Sequence, residues 1–152
     1  MDEDLEEEEG NRPALIIDTG NGFTKAGFAN EKQPRHIIPT IVGRPRFDGP
    51  RVGFMFKDIY YGSEVTKRMH ILNTVSPMQH GIVTNWRDME SLWHHILSHD
   101  MCTSDNHTVL LTESAMNPST HRRRTCQIWF ESFNVPSLFI ECTICYLILL
   151  VN

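Results

Sequence analysis

The hydrophobic pattern opens at Ala14-Leu15-Ile16-Ile17, an apolar run that meets Asp18 and a glycine turn, Gly20-Asn21-Gly22. Apolar and polar residues then alternate from Phe23 to Phe28, which predicts a second strand and a hairpin. Pro39 and Pro45 punctuate the extended stretch that follows. Asp48-Gly49-Pro50 reads as a turn, and Val52-Gly53-Phe54-Met55-Phe56 exposes apolar residues with no evident partner. Further on the spacing becomes helical. Asn85 reads as a cap answered by Asp88, and Met89, Leu92, Trp93, Ile96 and Leu97 fall on one face. Thr108 to Thr112 reads as a buried strand. Asn117-Pro118 reads as cap and first helical position, and Cys126, Trp129, Phe130 and Phe133 as the buried stripe of the next helix. Strands alternating with helices predict an α/β fold.

The first hairpin also carries chemistry. Two glycines one residue apart let a backbone approach an anion and aim N–H groups at it. Lys25 offers a point charge to the same phosphates, and Asp18 can hold the water shell of magnesium. Gly20, Asn21, Gly22 and Lys25 are therefore the expected phosphate contacts, with Asp18 the metal contact through water. A tight hairpin with a solvated Asp and Lys accounts for the same residues.

Composition bounds the partners. The chain has 152 residues, 40% hydrophobic and 22% charged, enough for one core. Its net charge of -5 is concentrated in Asp2-Glu3-Asp4-Leu5-Glu6-Glu7-Glu8-Glu9, which predicts a disordered acidic tail over 1–13. His121-Arg122-Arg123-Arg124 reads as a solvated helix face, so no nucleic-acid partner is expected. No secretory signal is expected, and the apolar run 140–151, about twelve residues with Glu141 inside it, is too short for a bilayer of roughly 30 Å. No membrane partner is expected. That same run is rich in strand formers and is an aggregation hazard if left uncovered. The four cysteines include Cys142-x-x-Cys145, with no second pair at finger spacing.

Taken with the hairpin, Ile41-Val42-Gly43-Arg44-Pro45-Arg46, His80-Gly81-Ile82-Val83-Thr84-Asn85-Trp86-Arg87-Asp88-Met89-Glu90, Trp93-His94-His95, Leu110-Leu111-Thr112-Glu113, Asn117-Pro118 and Phe130-Glu131-Ser132-Phe133-Asn134-Val135-Pro136 resemble, in order and spacing, the amino-terminal part of actin and the actin-related proteins. The resemblance implies a partial actin-like α/β domain of the ribonuclease H-like, sugar kinase and heat-shock chaperone superfamily. It divides the chain into the tail, an incomplete domain over 14–140 with a loop-bearing subdomain near 40–76, and a divergent apolar end over 141–152. A complete member is more than twice as long and holds its nucleotide with a second glycine hairpin that this sequence does not contain.

The resemblance implies ATP and magnesium as ligands, actin-like subunits or actin-binding proteins as partners, and a cytoplasmic, cytoskeletal location. It places His80 near the terminal phosphate as a sensor, although a hydrogen-bonded structural histidine fits equally. It puts Phe54, Met55 and Phe56 in a loop that inserts into the next subunit. Asn21 stands where the family carries serine, and Thr143 where it carries the glutamine that positions the attacking water. The expected function is an actin-related cytoskeletal protein with a partial ATP clasp and no efficient hydrolysis. The alternative is a non-enzymatic, truncated actin-like interaction protein or a non-functional isoform.

Overall fold

The computed structural model describes residues 12–46, 57–102 and 107–142. The apolar run and the alternating run form the expected hairpin, β1 (Leu15–Thr19) against β2 (Phe23–Phe28), with Asp18 opposite Lys25 and Thr19 opposite Thr24. β3 (His36–Pro39) adds to β2 antiparallel. On the other side β9 (Val109–Glu113) lies parallel to β1, and β10 (Leu138–Cys142) parallel to β9. The sheet order is β10-β9-β1-β2-β3. Three parallel strands carry an antiparallel extension, and the connections between the parallel strands contain the helices, as parallel pairing requires.

One face of this sheet is the core. Leu15, Ile17, Ala26, Ile38, Val109 and Leu111 pack against Met89, Leu92, Trp93 and Ile96 of one helical segment and Ile128, Trp129 and Phe133 of another. The period of two sends Ile16, Lys25, Ile37, Leu110 and Phe139 to the opposite face.

A small sheet stands beside the large one. β4 (Val42–Pro45) lies between β5 (Tyr60–Tyr61) and β6 (Leu72–Val75), with the short helix α1 (Ser63–Lys67) following β5. Tyr60 turns into a separate core with Val65 and Leu72, while Tyr61 turns to the main core. Gly62, which links β5 to α1, has φ of 51°, and a Cβ there would lie 2.4 Å from Ile38 Cγ2.

The hairpin of β7 (Met78–Gln79) and β8 (Ile82–Val83) follows, turned by His80 at φ 51° and Gly81 at φ 77°. Two left-handed residues in a two-residue loop match the twist of the flanking strands.

Helix α2 (Trp86–His95) starts as expected: Asn85 Oδ1 accepts from the Asp88 N–H at 3.1 Å. The reciprocal bond differs from a capping box, because Asp88 accepts from the Asn85 side-chain amide, at 2.9 Å, and from Arg44. α2 ends in a wide turn, Ile96–Asp100, in which the Met101 N–H reaches Ile96 O. Helix α3 (Ser119–Gln127) begins one residue later than the sequence suggests: Pro118 is the cap and Ser119 the first helical residue. It too ends in a wide turn, Ile128–Ser132, closed by Phe133 N–H to Ile128 O.

That turn corrects the expected stripe. Trp129 and Phe133 are buried, but Cys126 is only half-buried, Phe130 is 46% exposed, and Ile128 takes its place in the core. A turn closing over five residues rotates each position less than an α-helix does, so the face expected from α spacing drifts off the core. In α2 most of the stripe precedes the wide turn: Met89, Leu92, Trp93 and Ile96, the turn's first residue, are buried, and Leu97 inside the turn is half-buried against the core.

Candidate functional site

The expected phosphate residues gather at the carboxyl end of β1. Parallel strands leave their carboxyl ends open to a crevice, the usual ligand position in such sheets. Lys25 Nζ lies 3.8 Å from Asp18 Oδ2, across the hairpin. The Thr112 hydroxyl, at the carboxyl end of β9, donates to Asp18 Oδ1 at 2.5 Å. Asp18, Lys25 and Thr112 thus form one polar row at the end of the strands. No sequence pattern gives Thr112 a role; only the parallel register, which sets Ile17 beside Leu111, brings it to Asp18.

The turn itself is closed by Gly20 N–H to Phe23 O at 3.0 Å. Neither Gly20 nor Gly22 is left-handed. Their use lies in space: a Cβ on Gly20 would sit 3.1 Å from Phe23 O, whereas a Cβ on Gly22 would meet nothing within 4 Å. Gly22 therefore leaves an open approach to the backbone. Asn21 reaches the neighbouring hairpin, its Oδ1 accepting from the Gly81 N–H at 2.8 Å. His80 stands exposed at that second turn, next to the bond that ties the two hairpins together.

Beneath the turns is a cavity of about 40 Å³ whose lining includes Thr19, Met78, Gly81, Trp93 and Glu113. Trp93 Nε1 donates to Thr19 Oγ1 at 3.3 Å. The cavity has room for a few waters and not for a nucleotide. Glu113 closes its rim. Burial pushes the Glu113 carboxyl upward, but hydrogen bonds from Arg122 and Asn117 outweigh it and hold the group below the ordinary carboxylate range.

The donor set suits a hydrated magnesium and a phosphate. Asp18 is half-buried and keeps Oδ2 on the side of Lys25, and the space a Gly22 side chain would fill is open. Among the described residues no cluster of three or more His, Cys, Asp or Glu side chains forms a direct metal site. Phe54, Met55 and Phe56, expected at a subunit contact, lie outside the described residues, as do Thr143 and the acidic tail through residue 11. Among the described residues no helix is long and apolar enough to cross a membrane.

The mixed sheet with helices in its parallel connections is consistent with a partial actin-like α/β fold. The family model described as Actin matches residues 9–145 of the 152. The chain belongs to the actin family, of which it carries the amino-terminal part.

Proposed function

We propose that this chain is a cytoplasmic, cytoskeletal actin-family protein whose β1–β2 hairpin clasps the phosphates of magnesium ATP. Gly20, Asn21 and Gly22 supply the backbone of the clasp, Lys25 its charge, and Asp18 the hold on magnesium through water. His80 senses phosphate occupancy through the hairpin that Asn21 touches. The observation that carries this reading is the convergence of Asp18, Lys25 and the open backbone of Gly22 at the carboxyl ends of two parallel strands. The small sheet, with its own core of Tyr60, Val65 and Leu72, supports a loop-bearing subdomain near 40–76, from which Phe54, Met55 and Phe56 would meet actin-like subunits. No efficient hydrolysis is part of the proposal, since Thr143 replaces the glutamine of the family.

A second reading, a non-enzymatic interaction protein, is favoured by the small cavity and by Asp18 being held already by Thr112 and Lys25. Calorimetry with magnesium ATP separates the two. The clasp predicts saturable binding that is lost in Lys25→Ala and in Gly22→Val, which fills open space without an internal clash. No heat from a chain shown by circular dichroism to be folded selects the interaction protein.

A further inference from the structure

The carboxyl-terminal turn of α2 carries a cluster that the phosphate site does not use. The His95 ring lies flat on Tyr61, with centroids 4.7 Å apart and planes at 22°. The His99 ring approaches from its other neighbour position, 4.8 Å away. His95 Nε2 is 4.0 Å from Asp100 Oδ2, an oxygen that is buried and accepts no hydrogen bond. Tyr61 belongs to β5 of the small sheet, and its hydroxyl bonds Ser91 Oγ of α2. The His95 contact is therefore a joint between the small sheet and the main domain. We propose that the Tyr61–His95–Asp100 cluster is an acid-released joint, closed while His95 is neutral and loosened when it takes a proton.

The charges around the ring decide the sign. From its own helical segment His95 faces His99 and Asp100; from the small sheet and α1 it faces Tyr61, Glu64 and Lys57. Glu64 is itself held by Lys57, at 2.9 Å, which diverts its charge from His95. Asp100 favours a proton on His95, but 4.0 Å is beyond a hydrogen bond. Burial, His99 and Lys57 oppose it. The His95 side chain is only 16% exposed, so a charge there is poorly hydrated. Burial comes first among these effects, and the balance sets His95 below the ordinary histidine value. A histidine lowered on folding stabilises the fold above its unfolded value of 6.5, and that stability is lost as pH falls below it.

Amide exchange on the full chain, corrected for the intrinsic rate at each pH, tests the joint between pH 7.5 and 5.5. The Gly62 N–H, bonded to Ile41 O, reports the small sheet; the N–H groups of Leu15 and Val109, bonded to Thr108 O and Ser137 O, report the large one. Acidification is expected to lower protection at Gly62 several-fold and to leave Leu15 and Val109 unchanged. His95→Phe keeps a ring on Tyr61 without a proton and is expected to flatten the response. An equal loss in that variant, or a uniform loss in both sheets, overturns the proposal. NMR titration of His95 in the unaltered chain is a separate check that needs no variant. A midpoint at or above that of a free histidine overturns the joint, and one below it that moves up in His99→Gln supports it.

Discussion

Asp88 shows how one side chain can serve two elements. It caps nothing itself, yet it takes the Asn85 amide and the Arg44 fork, at 3.2 and 2.5 Å, so β4 is pinned to the start of α2. The hydrogen bond to Asp88 holds the Arg44 guanidinium above its ordinary value. The pair is lopsided: Asp88 is 3% exposed and Arg44 40%. Arg44→Ala strands a buried carboxylate and is expected to cost about 3 kcal/mol, whereas Asp88→Ala frees a guanidinium that water can reach and should cost about half that. Urea unfolding ranks the two variants. Adding Asp88→Asn to Arg44→Ala is expected to restore part of the loss, and a further loss would show that charge burial is not the cause. Glu113 gives the opposite case, a pair near the surface. Its carboxyl is held below the ordinary 4.5, so its contribution is present above that pH and is lost as pH falls through the lower, folded value. Because Arg122 is 55% exposed, the pair is worth less than about 1 kcal/mol. Arg122→Ala is expected to lower the melting temperature slightly at pH 7 and by less as the pH falls below 4.5, which thermal scans across that range check.

At the scale of elements, α3 is held by the turn that ends it. No residue of Ser119–Gln127 is buried; Ile128, Trp129 and Phe133 make the contact. Trp129→Ala is therefore expected to cost about 3–5 kcal/mol, and Phe130→Ala less than about 1. Chemical denaturation of both variants measures the difference, and comparable losses would restore the α-helical stripe and remove the wide turn. The same turn marks what sequence pattern could and could not reveal. β1, β2 and α2 were legible because each carries its full signal locally: an apolar run, an alternation, a cap and an α-spaced stripe. Phe130 escapes the pattern because a periodic stripe assumes one helical pitch, and the pitch changes at Ile128. The two-residue strands at Tyr60, Met78 and Ile82 are too short to show any period. In the candidate site, Asp18, Gly20, Gly22 and Lys25 were legible as a turn with charges. Thr112 and the Asn21–Gly81 bond were not, since they depend on pairings across 94 and 60 residues.

At the scale of the whole molecule, the described residues pack helices on one side of the large sheet. Both helical segments pack on the face of Leu15, Ile17, Val109 and Leu111. Parallel strands are ordinarily covered on both faces, because their side chains are apolar on both. Here the other face presents Phe139 at 59% exposure, Ile37 at 58% and Phe23 at 57%, with Ile16 and Leu110 half-buried between them. Such a surface binds apolar dyes while the chain is still folded. The chain is accordingly expected to enhance anilinonaphthalene sulfonate fluorescence at neutral pH, below its unfolding transition. Phe139→Lys and Ile37→Lys place charges on the open face without touching the core. They are expected to reduce that fluorescence by half or more together and to leave the melting temperature within about 2 °C, the shift that a surface change of up to roughly 0.5 kcal/mol produces. Dye binding that persists in the double variant would locate the accessible apolar surface elsewhere. A large fall in melting temperature would show instead that Phe139 and Ile37 are packed, and that the sheet has two covered faces.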